Sequence, residues 1–221
     1  MVYTIQKGPF TFHSFIGGYD KNITYLIQTP ETERVWAVDA SVSIRGLPCE
    51  LKNRIAGIFI THTHGDHVAY LDQFISENPE IDIYLFGGSS YKMFDKKTTS
   101  ISDGDIINID QFPVKVLHTP GHYPDSCCFL FNDSLFTGDT VFIGRTGRTI
   151  GAGSNVRTLY HSVYKKVLTL PQDVTLFPGH DYGSKPYCSI EENIKLSPLL
   201  RAENEDDFVF RMEEYERSRI S

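Results

Sequence analysis

What this chain has little of narrows it first. Positive charge is in deficit: 21 lysines and arginines face 28 acidic residues, for a formal net charge of −7. That balance argues against a sequence-independent nucleic-acid binder, which needs a basic face. Long apolar runs are missing, none approaching the roughly 18 residues of a membrane span, so no membrane partner is expected. The opening Met1-Val2-Tyr3-Thr4-Ile5-Gln6 shows no basic stretch followed by an apolar one, and no leader is expected from it. Cysteine is sparse, four in 221 residues, and Cys127 and Cys128 are neighbours. That is a poor basis for a disulfide framework, and a reducing, cytoplasmic setting is the expectation. Internal repeats, low-complexity segments and a composition break that could mark a linker are lacking too. With 22% charged and 40% hydrophobic residues, the composition is that of an ordinary globular domain, long enough to bury a substantial core.

What is there is a series of short strands. Residues 10–15, 23–27 and 34–38 alternate or run apolar around Gly17-Gly18, an antiparallel meander that ends at Asp39. Further strands are expected at 57–60, 81–86, 106–109, 114–117, 127–131, 134–137 and 174–177, with a turn at 102–105. Helices are expected at 48–53, 68–75, 89–94, 155–170, 190–196 and 206–217. The clearest is 155–170, where Val156, Leu159, Val163, Val167 and Leu170 form an apolar stripe that Pro171 stops. A glycine-rich loop, 144–153, carries Arg145 and Arg148. The order predicts an α+β (mixed α/β) sandwich, one domain over 1–221, with 190–221 as a C-terminal helical tail.

The chemistry gathers at strand ends. Thr61-His62-Thr63-His64-Gly65-Asp66-His67 directly follows the apolar run Ile58-Phe59-Ile60. Imidazole and carboxylate are the side chains that hold zinc, iron or manganese. His62 and His64 alternate, so in extended backbone they face the same way, and Gly65 lets Asp66 and His67 aim at a second position. Three more strands run toward His122, Asp139 and His180. Seven ligands divide naturally: His62, His64 and His122 for one ion, Asp66, His67 and His180 for another, and Asp139 across both. Two divalent ions about 3.5–4 Å apart can turn a shared water into hydroxide near neutral pH. Two histidines and one carboxylate on a single ion would instead be the signature of non-haem iron oxygen chemistry. Asp39 reads equally as a turn residue or as a partner behind a ligating histidine, and Thr119 and Thr140 are similarly open. His118 reads as a structural hydrogen-bonder, His13 and His161 as surface or satisfied core histidines, and Cys127 and Cys128 as core. Arg145 reads as a solvated loop residue. Arg148 offers a rigid fork for an anionic substrate tail.

Thr-His-Thr-His-Gly-Asp-His at 61–67, Thr-Pro-Gly-His at 119–122, Gly-Asp-Thr at 138–140 and Pro-Gly-His-Asp-Tyr at 178–182 together resemble the metallo-β-lactamase superfamily over nearly the whole chain. The resemblance implies a four-layer αβ/βα sandwich with metal at one edge of its sheets. Asp139 stands where zinc β-lactamases commonly have cysteine, and His64 where the flavodiiron branch has glutamate; both branches are disfavoured. The chain is too short for the extra domain of the superfamily's RNA-processing nucleases.

Within the superfamily the chain is most similar to the glyoxalase II and persulfide dioxygenase group, through Leu159-Tyr160-His161-Ser162-Val163, Leu170-Pro171 and His180-Asp181-Tyr182-Gly183. In that group the positions of Arg148 and Tyr182 help bind glutathione. Two positions depart from the dioxygenases: Ile150 follows Gly147-Arg148-Thr149 where an acidic residue is usual, and Leu199 stands where a glutathione-binding arginine is usual. The resemblance implies a metal-dependent hydrolase of a small thioester, like hydroxyacylglutathione hydrolase. It would use two divalent ions (zinc first, iron or manganese as alternatives), with Asp66 and Asp139 as catalytic carboxylates. Arg148 and Tyr182 would grip a small anionic thiol-derived substrate such as a glutathione conjugate. The alternative is a persulfide dioxygenase with one Fe(II) on His62, His122 and Asp139. A third is a non-catalytic metal-binding regulatory module.

Overall fold

In an extended strand neighbouring side chains point to opposite faces, and this chain buries both. Phe59 faces one core cluster while Ile58 and Ile60 face another. Leu135 and Phe136 divide in the same way, as do Cys128 and Cys127. Sheets covered on both faces need continuous apolar strands rather than clean alternation, and the result is a mixed α/β sandwich in four layers. The computed structural model describes residues 2–30, 32–91 and 98–218.

Among the described residues, seven strands form the first sheet in sequence order: β1 (Val2–Lys7), β2 (Phe10–Gly17), β3 (Asn22–Gln28), β4 (Val35–Val38), β5 (Ile55–Phe59), β6 (Asp82–Phe86) and β7 (Thr99–Ile101). β1 to β4 pair antiparallel, the expected meander, and β4 to β7 pair parallel. The second sheet takes β8 (Ile106–Ile109), β9 (Phe112–His118), β10 (Cys127–Phe131) and β11 (Ser134–Gly138). After a small ribbon of β12 (Val141–Phe142) and β13 (Arg145–Thr146), it adds β14 (Thr175–Pro178) and β15 (Cys188–Ser189). Its spatial order is β15-β14-β11-β10-β9-β8, parallel only between β11 and β14.

The sheets meet through aromatics. Tyr25 packs on Phe136 at 4.9 Å between ring centres, Phe12 on Phe136 at 5.3 Å, and Phe59 on Phe129 at 5.0 Å. Such large rings dominate core energetics. α1 (Cys49–Lys52) and α2 (Leu71–Glu77) bring Leu51, Leu71 and Phe74 to the outer face of the first sheet. α3 (Val156–Ser162), α4 (Ile190–Leu196) and α5 (Glu205–Arg217) bring Leu159, Ile190, Phe208 and Met212 to the outer face of the second. The expected C-terminal tail is therefore part of the outer core. Trp36 lies across Gly57, its partner on β5; a Cβ at 57 would come within 2.3 Å of the indole, so only glycine lets the ring lie flat there.

Several expectations shift. β1 was not anticipated, although Tyr3 and Ile5 turn toward the sheet while Thr4 and Gln6 are exposed. The second helix begins at Leu71 rather than 68. The expected helix 155–170 is α-helical only to Ser162 and continues as a π-turn over Val163–Val167, with Leu168 N–H donating to Val163 O at 2.9 Å. Asn155 caps its start by accepting from Thr158 N–H at 2.9 Å. The loop expected at 144–153 contributes Arg145 and Thr146 to the β12–β13 ribbon. Ser89, Ser90 and Tyr91 are not helical, and residues 92–94 of the helix expected at 89–94 lie outside the described residues.

Candidate metal centre

The ends of β5, β9, β11 and β14 deliver the seven side chains to one edge of the two sheets. β5 closes at Phe59, and Thr61 O then accepts from Cys127 N–H at 2.7 Å, tying the cluster's first residue to the other sheet. His67 N–H donates to His64 O at 3.0 Å, closing the turn that brings Asp66 and His67 round. Asp139 directly follows β11, His180 lies two residues beyond β14, and His122 follows β9 after Pro120-Gly121. Gly179 sits against the middle of this arrangement: a Cβ there would meet Asp139 Oδ1 at 2.6 Å and His67 Cε1 at 2.8 Å.

The side chains of the two expected groups lie close together, and His62 also approaches His67, their ring centres 4.0 Å apart. His64 Nδ1 stands 3.0 Å from His62 Nε2 and 3.0 Å from His122 Nε2. His67 Nε2 stands 3.2 Å from His180 Nε2, and Asp66 Oδ2 is 3.5 Å from the latter. Asp139 lies between, with Oδ1 3.2 Å from His67 Nε2 and Oδ2 3.5 Å from His122 Nε2 and 3.4 Å from His180 Nε2. Among the described residues three sets could hold an ion: His62, His64 and His122; His62, His67 and Asp139; Asp66, His67 and His180.

The outward-facing nitrogens explain why these atoms converge. His67 Nδ1 donates to Asp39 Oδ2 at 2.8 Å, His122 Nδ1 to Arg148 O at 2.9 Å, and His180 Nδ1 to Asp20 O at 2.7 Å. Thr61 Oγ1 donates to Asp39 Oδ2 at 2.7 Å, so His62 Nδ1, 3.2 Å away, is the donor to that hydroxyl. With a proton committed outward, each of these rings in its neutral form turns a bare lone pair inward, the tautomer that a metal requires. Asp139 Oδ1 is buried and has no hydrogen-bond partner. Inward lone pairs and an orphaned carboxylate oxygen cannot satisfy one another; a cation satisfies all of them. The residues fit a metal.

Charge agrees. Burial, with the neighbouring imidazoles, pushes His62 well below the usual histidine range, so it is neutral. Burial acts to raise the Asp139 carboxyl, but His67 and His180 overcome it and hold it well below the carboxylate range. Asp66 is lowered the same way, by His67 and the Asn22 amide against burial. Asp39, 1% exposed, is a partner behind a ligand position and not merely a turn residue.

A cleft of about 200 Å³ opens over the centre, lined by His64, Asp66, His122, Asp139 and His180 together with Asp20, Phe142, Arg148, Tyr182 and Tyr215. Arg148 and Tyr182, the two expected substrate-binding residues, both line this cleft. The Tyr182 hydroxyl donates to the Asp20 carboxylate, and its ring stacks on His180 at 4.7 Å. Arg145 is not a solvated loop residue: its guanidinium donates to Tyr182 O at 2.7 Å and lies over the Tyr182 ring. Thr119 and Thr140 hydrogen-bond one another at 2.9 Å. His118 Nε2 donates to Pro124 O at 2.9 Å, and the ring stacks on Phe86. His13 bonds Gln28, and His161 pairs with Glu205. Sequence reading did not single out Asp20, Asn22, Phe142, Tyr215 or Glu216. Glu216 Oε1 accepts from Thr149 N–H at 2.6 Å, anchoring the loop that carries Arg148 to α5.

Residues 51–180 match the family model of the metallo-beta-lactamase superfamily. Among curated relatives, the chain is 29% identical over 210 residues to a probable polyketide biosynthesis zinc-dependent hydrolase, BaeB, of Bacillus velezensis, covering 90% of this chain and 88% of that one. It is 32% identical over 185 residues to the human mitochondrial persulfide dioxygenase ETHE1, covering 80% and 70%. To a hydroxyacylglutathione hydrolase of Francisella philomiragia it is 36% identical over 131 residues, covering 58% of this chain and only 50% of that one, about half its length. The crystal structure of ETHE1 from Myxococcus xanthus superposes with a TM-score of 0.78 at 27% identity, covering 91% and 89%.

Proposed function

The chain belongs to the metallo-beta-lactamase superfamily, and on that premise we propose that it is a two-metal hydrolase of a small thioester, like hydroxyacylglutathione hydrolase. The observation that carries this reading is the second group: Asp66, His67 and His180 are as fully preorganised as His62, His64 and His122, and Asp139 stands across both. His62, His64 and His122 would hold one ion, Asp66, His67 and His180 the other, with Asp139 shared. Zinc is proposed first, in line with the Bacillus relative's description, with iron or manganese as alternatives. When bound, the ions supply Lewis-acid polarisation of the thioester carbonyl and make water acidic enough to react near neutral pH.

The chain's own side chains do the rest. Asp39, Arg148 O and Asp20 O keep the imidazoles oriented. Asp66, at the cleft and oriented by Asn22, would accept the proton released as water adds to the carbonyl. The Arg148 guanidinium would pair with an anionic tail of a thiol-derived substrate such as a glutathione conjugate. Tyr182, whose proton goes to Asp20, would accept a hydrogen bond from a substrate amide at its oxygen. Cys127 and Cys128 point into separate cores; a reducing, cytoplasmic setting is proposed from the sparse cysteine content.

A second reading, a persulfide dioxygenase with one Fe(II) on His62, His122 and Asp139, is favoured by the human relative, 70% of which the chain covers. One assay pair separates them. Zinc-loaded protein is expected to cleave a hydroxyacyl-glutathione thioester, with no oxygen uptake when iron-loaded protein is given glutathione persulfide. Oxygen uptake without thioester cleavage would replace the first reading by the second. Bound metal with neither turnover would leave a non-catalytic metal-binding module.

A further inference from the structure

Asn22 is fully buried at the start of β3, with its amide set between the two loops that complete the second metal group. Asp20 N–H donates to Asn22 Oδ1 at 3.1 Å, which fixes which way the amide faces. Its Nδ2 therefore points into the centre, donating to Asp66 Oδ2 at 2.8 Å and lying 3.3 Å from His180 Nε2. Asp66 Oδ2 is also the carboxylate oxygen that faces His180 Nε2 at 3.5 Å and His67 Nε2 at 3.9 Å. A carboxylate oxygen has two lone pairs, so it can accept the amide proton on one and offer the other to a cation.

We propose that Asn22 is the positioning residue that makes Asp66, His67 and His180 a metal site separate in affinity from that of His62, His64 and His122. His67 is already anchored by Asp39 and His180 by Asp20 O. Asp66, whose side chain is 30% exposed, is the most exposed member of the group, and Asn22 is the side chain that aims it. The backbone of the 18–22 turn holds Asn22 in place. Gly18 and Lys21 take positive φ, Asn22 forms a backbone bridge to His180, and Asp181 N–H donates to Lys21 O at 2.9 Å. His62 and His122 are held by Thr61 and by Arg148 O, so the first group does not depend on Asn22. This inference rests on the two-ion reading.

The test is a Co(II) titration of the full-length, chelator-stripped protein, followed by its visible absorption and by native mass spectrometry. Wild type is expected to take two equivalents. In Asn22→Ala the second dissociation constant should weaken by about 10–100-fold, the usual cost of losing a partner behind a ligand, while the first changes by less than about twofold. The first constant reports whether the variant is folded; should Asn22→Ala not fold, Asn22→Ser, whose hydroxyl is too short to reach Asp66, is expected to show the same split. Two equivalents in wild type with an unchanged second constant in either variant would overturn the role of Asn22 alone. A parallel loss of both constants would overturn it too. A single equivalent in wild type would defeat the two-ion reading and the inference with it.

Discussion

Replacing Asp139 with alanine is expected to abolish tight binding of both ions and to lower turnover by more than the roughly 10–100-fold that losing a partner behind a ligand costs. In the proposed division the other ligands serve one ion each, whereas Asp139 reaches His67, His180 and His122 within 3.5 Å. Its carboxylate is also the one buried negative charge aimed at the middle of the centre, held ionised by His67 and His180 against burial. Asp139→Asn separates charge from shape. It keeps the volume beside Gly179, where space is tightest, yet removes the anion, and it is expected to behave like the alanine variant. Metal content measured by inductively coupled plasma mass spectrometry decides the matter, and retention of two ions by Asp139→Asn would remove Asp139 from the proposed ligand set.

The largest effect on stability is expected at Asp39. Its carboxylate accepts from Thr61 N–H at 2.8 Å, Thr61 Oγ1 at 2.7 Å and His67 Nδ1 at 2.8 Å, all buried. Asp39→Ala leaves three donors without an acceptor, each worth about 1–3 kcal/mol when stranded, although relaxation recovers part of that. It also puts alanine at a φ of 59°, a left-handed conformation that disfavours a Cβ. Together these are expected to cost about 4 kcal/mol, which lowers the melting temperature of a chain this size by about 10 °C. Asp39→Asn is milder for the fold and more revealing for the site. Asparagine tolerates positive φ and can still accept from Thr61 N–H. Its NH2 would then face His67 Nδ1 and force that nitrogen to accept, moving the ring proton to Nε2, where it blocks the inward lone pair. The expected result is a near-normal melting temperature with metal affinity weakened by about 10–100-fold. Equal loss of stability in both variants, with metal affinity kept in Asp39→Asn, would refute the tautomer argument.

The places of the seven candidate ligands were legible because strand ends are marked by local signals. An apolar run such as Ile58-Phe59-Ile60 followed by Thr-His-Thr-His fixes both a buried strand and where it stops. His122, Asp139 and His180 are announced in the same way by Pro-Gly or Gly before them. The order of strands and helices pointed to a sandwich and the family resemblance to its four layers, while the continuous apolar run Ile58-Phe59-Ile60 buries both faces of its sheet. What supports the ligands was not legible. Asp20 and Asn22 touch His180 from about 160 positions away, and Asp20 does so through a carbonyl that every residue possesses. Tyr215 and Glu216 read as one turn of an amphipathic helix; only the docking of α5 against the second sheet brings them to the cleft and the Arg148 loop. The π-turn at Val163–Val167 was hidden for a different reason. The apolar stripe keeps its near-helical spacing through the turn, and hydrophobic periodicity does not register one extra residue. Arg145 misled because a glycine-rich neighbourhood reads as solvent, whereas the Tyr182 carbonyl and ring draw its guanidinium inward.

The central claim is that seven side chains form one centre of two adjoining metal sites joined by Asp139. Anomalous diffraction at the zinc edge from crystals of zinc-loaded protein tests it most directly. Two peaks are predicted, one among His62, His64 and His122 and one among Asp66, His67 and His180, with Asp139 between them. Peaks lying elsewhere, or a centre that stays empty at saturating zinc, would contradict it.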